Sequence, residues 1–333
     1  MTMAKELCVG SLVAKAGEKV SGLLPVPGTD IEIPVTLISG KEEGPRVAAT
    51  GGIHGCEYPG IESAIRLAAK LDPAKVKGSV VVVHVSNPPS FFARSIYVGP
   101  FDGKNLNRVF PGDPQGTASD RIAHAIFSNV ISGSDYYIDL HGGDMIEKLI
   151  PFTIFCSEAD KKVVETSKAM VAAYGIPYAV ASSGAGGTYG TAARAGIPSI
   201  LAEAGGMGVL DEESVQIHLE GLERVLRYTG TIGAGYAISA KGASQKGAGK
   251  KEVTFLGSFP WLRSDTRGLL YLGVDVGDRV KKGQHVGVIK DYFGKVLKEL
   301  EAPETGIVLF RVTCPATNPS DPILAVGAEE TTP

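Results

Sequence analysis

The stretch GGIHGCEYPG, residues 51–60, sets His54 three positions ahead of Glu57 in a glycine-rich turn that follows the apolar run Val47-Ala48-Ala49. A histidine and a carboxylate at that interval can face one metal ion if the glycines bend the backbone. Catalytic zinc takes three protein ligands, commonly His with Glu or Asp, and keeps one position open. The third ligand must then come from a distant segment. His141, in DLHGGD, is the best supplier: it ends an apolar run, follows Asp139 by two residues and precedes a glycine pair. His84 lies inside VVVHV and reads as a hydrogen-bonded strand residue, His124 and His218 fall in helical patterns, and His285 sits in a β-rich tail, so packing or surface roles suit them better. Cys56 is a poor ligand, because a thiolate would compete with His54 for geometry and no second cysteine is near.

A second cluster lies at GKNLNRVFPG, residues 103–112, where Gly and Pro exclude a helix interior and present Asn105, Asn107 and Arg108 together. Arginine offers a planar fork to a carboxylate, and asparagine adds a donor and an acceptor beside it. That pair matches one end of an amino-acid-like substrate. Glu203, in ILAEAGG, is a carboxylate at another glycine-marked strand end. Enclosure would raise its pKa and suit it to accept and return a proton. The glycines of SSGAGGTYGTAARAG, residues 182–196, form neither a Walker motif nor a GxGxxG opening a helix, so the segment reads either as an ordinary surface loop or as a mobile loop beside the metal, with Tyr189 or Arg194 touching substrate. Asp144 is near enough to His141 in sequence to meet a substrate amine.

These residues need a scaffold that brings strand ends together. GPRVAATGG, GSVVVVHVSN, YYIDLHG and PSILAEAGG read as strands ending in glycine or turn residues, and Glu57–Leu71, Ser119–Phe127, Asp160–Tyr174 and residues 211–228 read as helices. The alternation predicts an α/β domain with a mixed, mostly parallel sheet flanked by helices. Sites in such folds form outside the carboxyl ends of the strands. His54 with Glu57, Asn87, His141 and Glu203 are therefore expected on one rim.

After about residue 235 the pattern changes. SAKGASQKGAGKK reads as a linker, and the remainder consists of short β-prone runs cut by Gly and Pro. Two domains are expected, 1–235 and 236–333, the second a small all-β module. Its glycine-punctuated halves resemble the barrel-sandwich arrangement of biotinyl and lipoyl domains, yet the comparable turn, EAPETG, has no lysine for a prosthetic group. Shaping or covering the site is the role expected of it.

The chain of 333 residues is 44% hydrophobic and 21% charged, ample for a core, and its net charge of -3 gives no basic excess for nucleic acid. The start lacks a signal-peptide core, and no run of about eighteen apolar residues exists to span a membrane. Four scattered cysteines without a CxxC pair suit a reducing cytoplasm. Oligomeric state is almost invisible in the sequence, and a homodimer is only the general expectation for a soluble enzyme.

Taken in order, GGIHGCEYPG, NPPSFFARSIYVGPFDGKNLNRVFPG, YYIDLHGGD and ILAEAGG resemble the succinylglutamate desuccinylase and aspartoacylase family, which belongs with the zinc carboxypeptidases by fold. The resemblance covers most of residues 20–230, and the β module also looks like the family's carboxy-terminal domain. It implies one zinc ion per chain, held by His54, Glu57 and His141. It further implies that Arg94 polarises the scissile carbonyl, that Asn107 and Arg108 hold the substrate carboxylate, and that Glu203 is the catalytic glutamate. Asp139 would orient His141. The implied activity is hydrolysis of the amide of an N-acylated amino acid or similar small amide. Two other functions stay open at this point: a carboxypeptidase acting on a short or cell-wall peptide, and a non-catalytic small-molecule-binding protein on the same scaffold. An open cleft would favour the peptide, and a small pocket narrowed by the β module would favour the deacylase.

Overall fold

A computed structural model describes residues 6–239 and 252–329. The linker read at residues 239–251 lies outside these, apart from Ser239. The central feature is a mixed sheet. From one edge its strands run Lys19–Pro25, Glu32–Ser39, Lys77–Val83, Glu42–Gly51, Tyr136–His141, Ser199–Glu203, Phe152–Cys156 and Tyr178–Ser182. The pairs joining Lys77–Val83, Glu42–Gly51, Tyr136–His141 and Ser199–Glu203 are parallel, as is Phe152–Cys156 with Tyr178–Ser182. Glu32–Ser39 and Phe152–Cys156 enter antiparallel to their neighbours Lys77–Val83 and Ser199–Glu203.

Helices cover both faces because the central strands are apolar on both sides. On one face Tyr58–Lys70, Lys161–Tyr174 and Glu212–Tyr228 pack over Val47, Ala49, Ile138, Leu140 and Ile200. On the other, Ala118–Ile126 covers Ala48, Val81, Val83 and Tyr137. Local signals set the helix ends. Asp160 and Asp211 accept hydrogen bonds from the first turns of their helices, and Gly175 stops the first of these in the left-handed conformation. Full burial of one side chain such as Ile138 contributes ~1.5–3 kcal/mol.

The sheet continues across residue 235. Thr254–Ser258 pairs parallel with Tyr178–Ser182 and antiparallel with Pro322–Glu329, which in turn pairs with Gly306–Val312 and Trp261–Arg263. Glu147–Leu149 pairs with Gly306–Val312. A separate four-stranded sheet, Val296–Glu301, His285–Lys290, Gly268–Leu272 and Ala316–Thr317, shares a core of Leu270, Val286, Ile289, Leu300, Val308, Ile323 and Val326 with those strands. The C-terminal part is thus a small β unit, and among the described residues no strand pairing closes it into a barrel. No helix of the described residues is long and apolar enough to cross a membrane.

Candidate active site

Strand order brings the chemistry-bearing residues together. In the register of the sheet His141 lies directly beside Glu203, and Gly51 beside Leu140. The chain leaves Gly51 through Gly52, whose φ of 70° is open to glycine at little cost, and turns back to deliver His54 and Glu57 over the same strand ends. Gly55 permits that turn by close approach, since a Cβ there would stand 2.2 Å from the backbone nitrogen of Phe91. Glu57 occupies the N-cap position of helix Tyr58–Lys70 but makes no cap bond there. Its carboxylate faces the histidines from the positive end of the helix dipole.

His54 Nδ1 lies 2.7 Å from Glu57 Oε1, and His141 Nδ1 lies 2.8 Å from Glu57 Oε2. Each ring's other nitrogen is fixed from behind: His54 Nε2 donates to Asn105 Oδ1 at 3.1 Å, and His141 Nε2 donates to Asp139 Oδ2 at 2.9 Å. Asp139 is itself held, accepting from Thr50 Oγ1 at 2.7 Å and from Thr188 Oγ1. Were both imidazoles neutral with their protons on Nε2, each would turn a lone pair on Nδ1 toward an anionic, buried carboxylate at hydrogen-bond distance. Three acceptors around one point require positive charge, supplied by extra protons or by a cation. One donor atom from each of His54, Glu57 and His141 lies within 4.8 Å of the others, so the cluster could hold a divalent ion. Two imidazoles and a carboxylate, with a carboxylate behind one histidine, form a donor set that fits zinc. Although burial alone would raise it, the adjacent His141 and His54 hold the Glu57 carboxyl down at about 2.

Glu203 ends its strand beside this cluster, and its Oε2 is buried without a hydrogen-bond partner. Burial raises its carboxyl well above the usual range, and the negative charges of Glu57, Glu147 and Asp139 add to that shift while His141 opposes it. Asn107 is buried, and its Oδ1 accepts from the backbone nitrogen of Thr188 at 3.0 Å. Arg108 is exposed beside it. His54, Glu57, Asn105, Asn107, Arg108, His141 and Glu203 line one cavity of about 480 Å³. Its far side comes from the C-terminal unit through Phe259, Trp261, Arg263, Phe310 and Pro322.

Some expected residues stand elsewhere. Arg94 is exposed, caps helix Pro88–Ala93 at a φ of 52°, and does not line the cavity. Asn87 lies beside Gly52 at the same strand ends, but its side chain caps this helix, accepting from Ser90 N at 3.3 Å, and does not line the cavity. Asp144 is fully buried, its oxygens accept from the backbone nitrogens of Tyr97 and Met145, and it does not line the cavity. Within the glycine-rich segment, Thr188–Arg194 is helical; Tyr189 lines the cavity, whereas Arg194 donates to the carbonyls of Ser183 and Gly184. His84, as expected, is a hydrogen-bonded neighbour of Thr36 just past its strand.

Three residues have roles here that sequence reasoning missed. Thr188 bridges Asp139 and Asn107, Asn105 holds both His54 and the backbone nitrogen of Asn107, and His218, fully buried, donates from Nε2 to the carbonyl of His141 at 3.0 Å. For Thr188 and His218 the only sequence signal was a polar residue at an otherwise buried position in its element.

A model of the succinylglutamate desuccinylase/aspartoacylase catalytic domain matches residues 43–229. The N-alpha-acetyl-L-2,4-diaminobutyric acid deacetylase of Halomonas elongata is 30% identical over 310 residues, covering 89% of this chain and 86% of the relative. A succinylglutamate desuccinylase/aspartoacylase from Rhodobacter sphaeroides superposes with a TM-score of 0.80 at 27% identity, covering 93% of this chain and 96% of that one. The product-bound ectoine utilization protein EutE (DoeB) from Ruegeria pomeroyi does so with a TM-score of 0.81 at 28% identity, covering 95% and 96%.

Proposed function

Because this chain belongs to the succinylglutamate desuccinylase/aspartoacylase family, we propose that it is a zinc-dependent deacylase that hydrolyses the amide of a small N-acylated amino acid, releasing a carboxylic acid and an amine. The observation that carries this reading is the convergence of His54, Glu57 and His141 beside a Glu203 oxygen that has no partner. His54, Glu57 and His141 would hold the ion. Zinc supplies Lewis acidity and lowers the pKa of a bound water.

Asp139 and Asn105 hold the imidazoles in one tautomer, so that both Nδ1 atoms are available to the ion. Glu203 Oε2 takes a proton from the attacking water and returns it to the leaving nitrogen, a transfer for which a raised pKa suits it. Arg108 and Asn107 hold the substrate carboxylate at the cavity rim. We read Arg94 as the group that polarises the carbonyl oxygen, a role that requires its guanidinium to move from its exposed position to the cavity. The C-terminal unit, which we read as barrel-sandwich-like, narrows the cavity and restricts substrate size. Enclosure on that side supports a small amide over an extended peptide. Free cysteines throughout suit a cytoplasmic protein.

The test is amine release by zinc-loaded protein, against a metal-free control, from N-acetyl, N-succinyl and N-formyl amino acids and short peptides. Metal-dependent turnover confined to the N-acyl amino acids is expected. Cleavage of peptides alone would replace the deacylase with a carboxypeptidase.

A further inference from the structure

We propose that the substrate carries an uncharged apolar arm, and that this arm packs on an aromatic wall formed by Phe152, Phe259, Trp261 and Phe310. The proposal rests on the deacylase reading for the other end of the molecule. The wall is continuous: Phe152 and Phe259 lie 5.4 Å apart between ring centroids, Phe259 and Trp261 5.2 Å, and Trp261 and Phe310 4.7 Å. All four line the cavity that contains the histidine cluster.

Trp261 is the informative member. Strand alternation turns Leu262 toward the C-terminal core while Trp261 and Arg263 face the cavity. Trp261 is 38% exposed, whereas Phe152 and Phe310 behind it are each 3% exposed. An indole left open on an aromatic base, within a cavity of about 480 Å³, offers apolar surface that a ligand can cover. An acetyl group with a short side chain, bound at the histidine cluster, would leave that surface wet.

The charges around the wall disfavour a cationic arm. The Arg263 guanidinium already lies 5.7 Å from the Trp261 ring, so a cationic arm would meet a like charge there. Glu147, the carboxylate on this side, accepts from the Tyr97 hydroxyl at 2.6 Å and the Asp144 backbone nitrogen at 2.7 Å, and burial raises its carboxyl to about 7. Both of its oxygens are already engaged within the protein. Arg263 Nη1 in turn donates to the carbonyl of Ser320 at 2.9 Å.

Trp261 is the one tryptophan of the chain, so its fluorescence reports on the wall without any turnover. Zinc-loaded Glu203→Gln protein is titrated with N-benzoylglycine, N-hexanoylglycine and N-acetylphenylalanine, which place the apolar arm on the acyl or the amino-acid side. N-acetylglycine, N-succinylglycine and Nα-acetyl-2,4-diaminobutyrate serve as small, anionic and cationic comparisons. Burial of a ring-sized arm predicts at least about tenfold tighter binding for one or more apolar-arm compounds than for all three comparisons. In the wild-type background, Trp261→Ala should lower kcat/KM for the preferred compound about tenfold and that for N-acetylglycine less than about threefold, with Trp261→Phe restoring most of the loss. Equal or tighter binding of a comparison compound, or an equal loss on all substrates in Trp261→Ala, overturns the proposal. A fluorescence preference without hydrolysis of any compound by the wild type would sustain the wall and remove the deacylase reading; hydrolysis without preference would do the reverse.

Discussion

Replacing Glu203 by glutamine keeps its shape and removes its ability to carry a proton, and the structure predicts two separable effects. The first is on rate. Loss of a group that moves a proton in both halves of the reaction lowers kcat at least about 10²-fold, ~2.7 kcal/mol on the barrier, while zinc content stays at the wild-type level because Glu203 is not among the proposed ligands. The second is on stability of the metal-free protein. Burial holds the Glu203 carboxyl well above its ordinary value. The folded state therefore keeps a proton that the unfolded chain has released above pH ~4.3. Where the native state binds the extra proton, stability falls as pH rises, by up to ~1.4 kcal/mol per pH unit until the folded pKa is passed. Glutamine does not titrate, so the melting temperature of the variant should gain on wild type as pH rises above that point, by roughly 2 °C per kcal/mol in a chain of this size. Amine-release assays at matched zinc content and thermal melts of metal-free protein across pH measure the two effects. A near-normal rate at equal occupancy would refute the catalytic assignment, and parallel melting curves across pH would refute the account of its burial.

His141→Ala should lose the metal, and Asp139→Asn should keep the fold but weaken metal affinity ~10–100-fold, both read by chelator competition; wild-type affinity in either would remove that residue from its role. Arg108→Lys, which gives up the bidentate fork, should raise KM about tenfold with little change in kcat, and a fall in kcat alone would contradict a carboxylate-holding role. His218 is kept neutral by burial, its imidazole lowered to about 4. Its contribution is present above the unfolded value of ~6.5 and is lost as pH falls from there toward the folded value, at up to ~1.4 kcal/mol per unit. Denaturant titrations at pH 7 and pH 5 should show a smaller acid loss in His218→Gln than in wild type, and equal losses would refute this.

Much of the site was legible because its residues sit at punctuated strand ends. Glycines beside His54, His141 and Glu203 mark where apolar runs stop, and the types of those residues, with Glu57, limit what they can do together. Helix boundaries were readable for a similar local reason, since Asp160 and Asp211 announce the turns they cap. Arg94 shows where a linear motif gives out. It stands in the expected order between His54 and Asn107, yet its position at a helix C-cap turns it to solvent in this structure.

What the amino-acid order determined was the chemistry on offer and the layered α/β plan, because residue type and hydrophobic period act over a few neighbours. The tertiary structure decided which groups back which. Asn105 reaches His54, Thr188 reaches Asp139 and His218 reaches the carbonyl of His141 only because non-consecutive strands lie side by side. It also carried the sheet past residue 235, bringing Trp261 and Phe310 to a cavity whose histidine cluster lies more than a hundred residues earlier. A local pattern can announce a strand, but its neighbour is chosen by the burial and hydrogen bonding of the whole sheet, and that choice fixes the walls of the site.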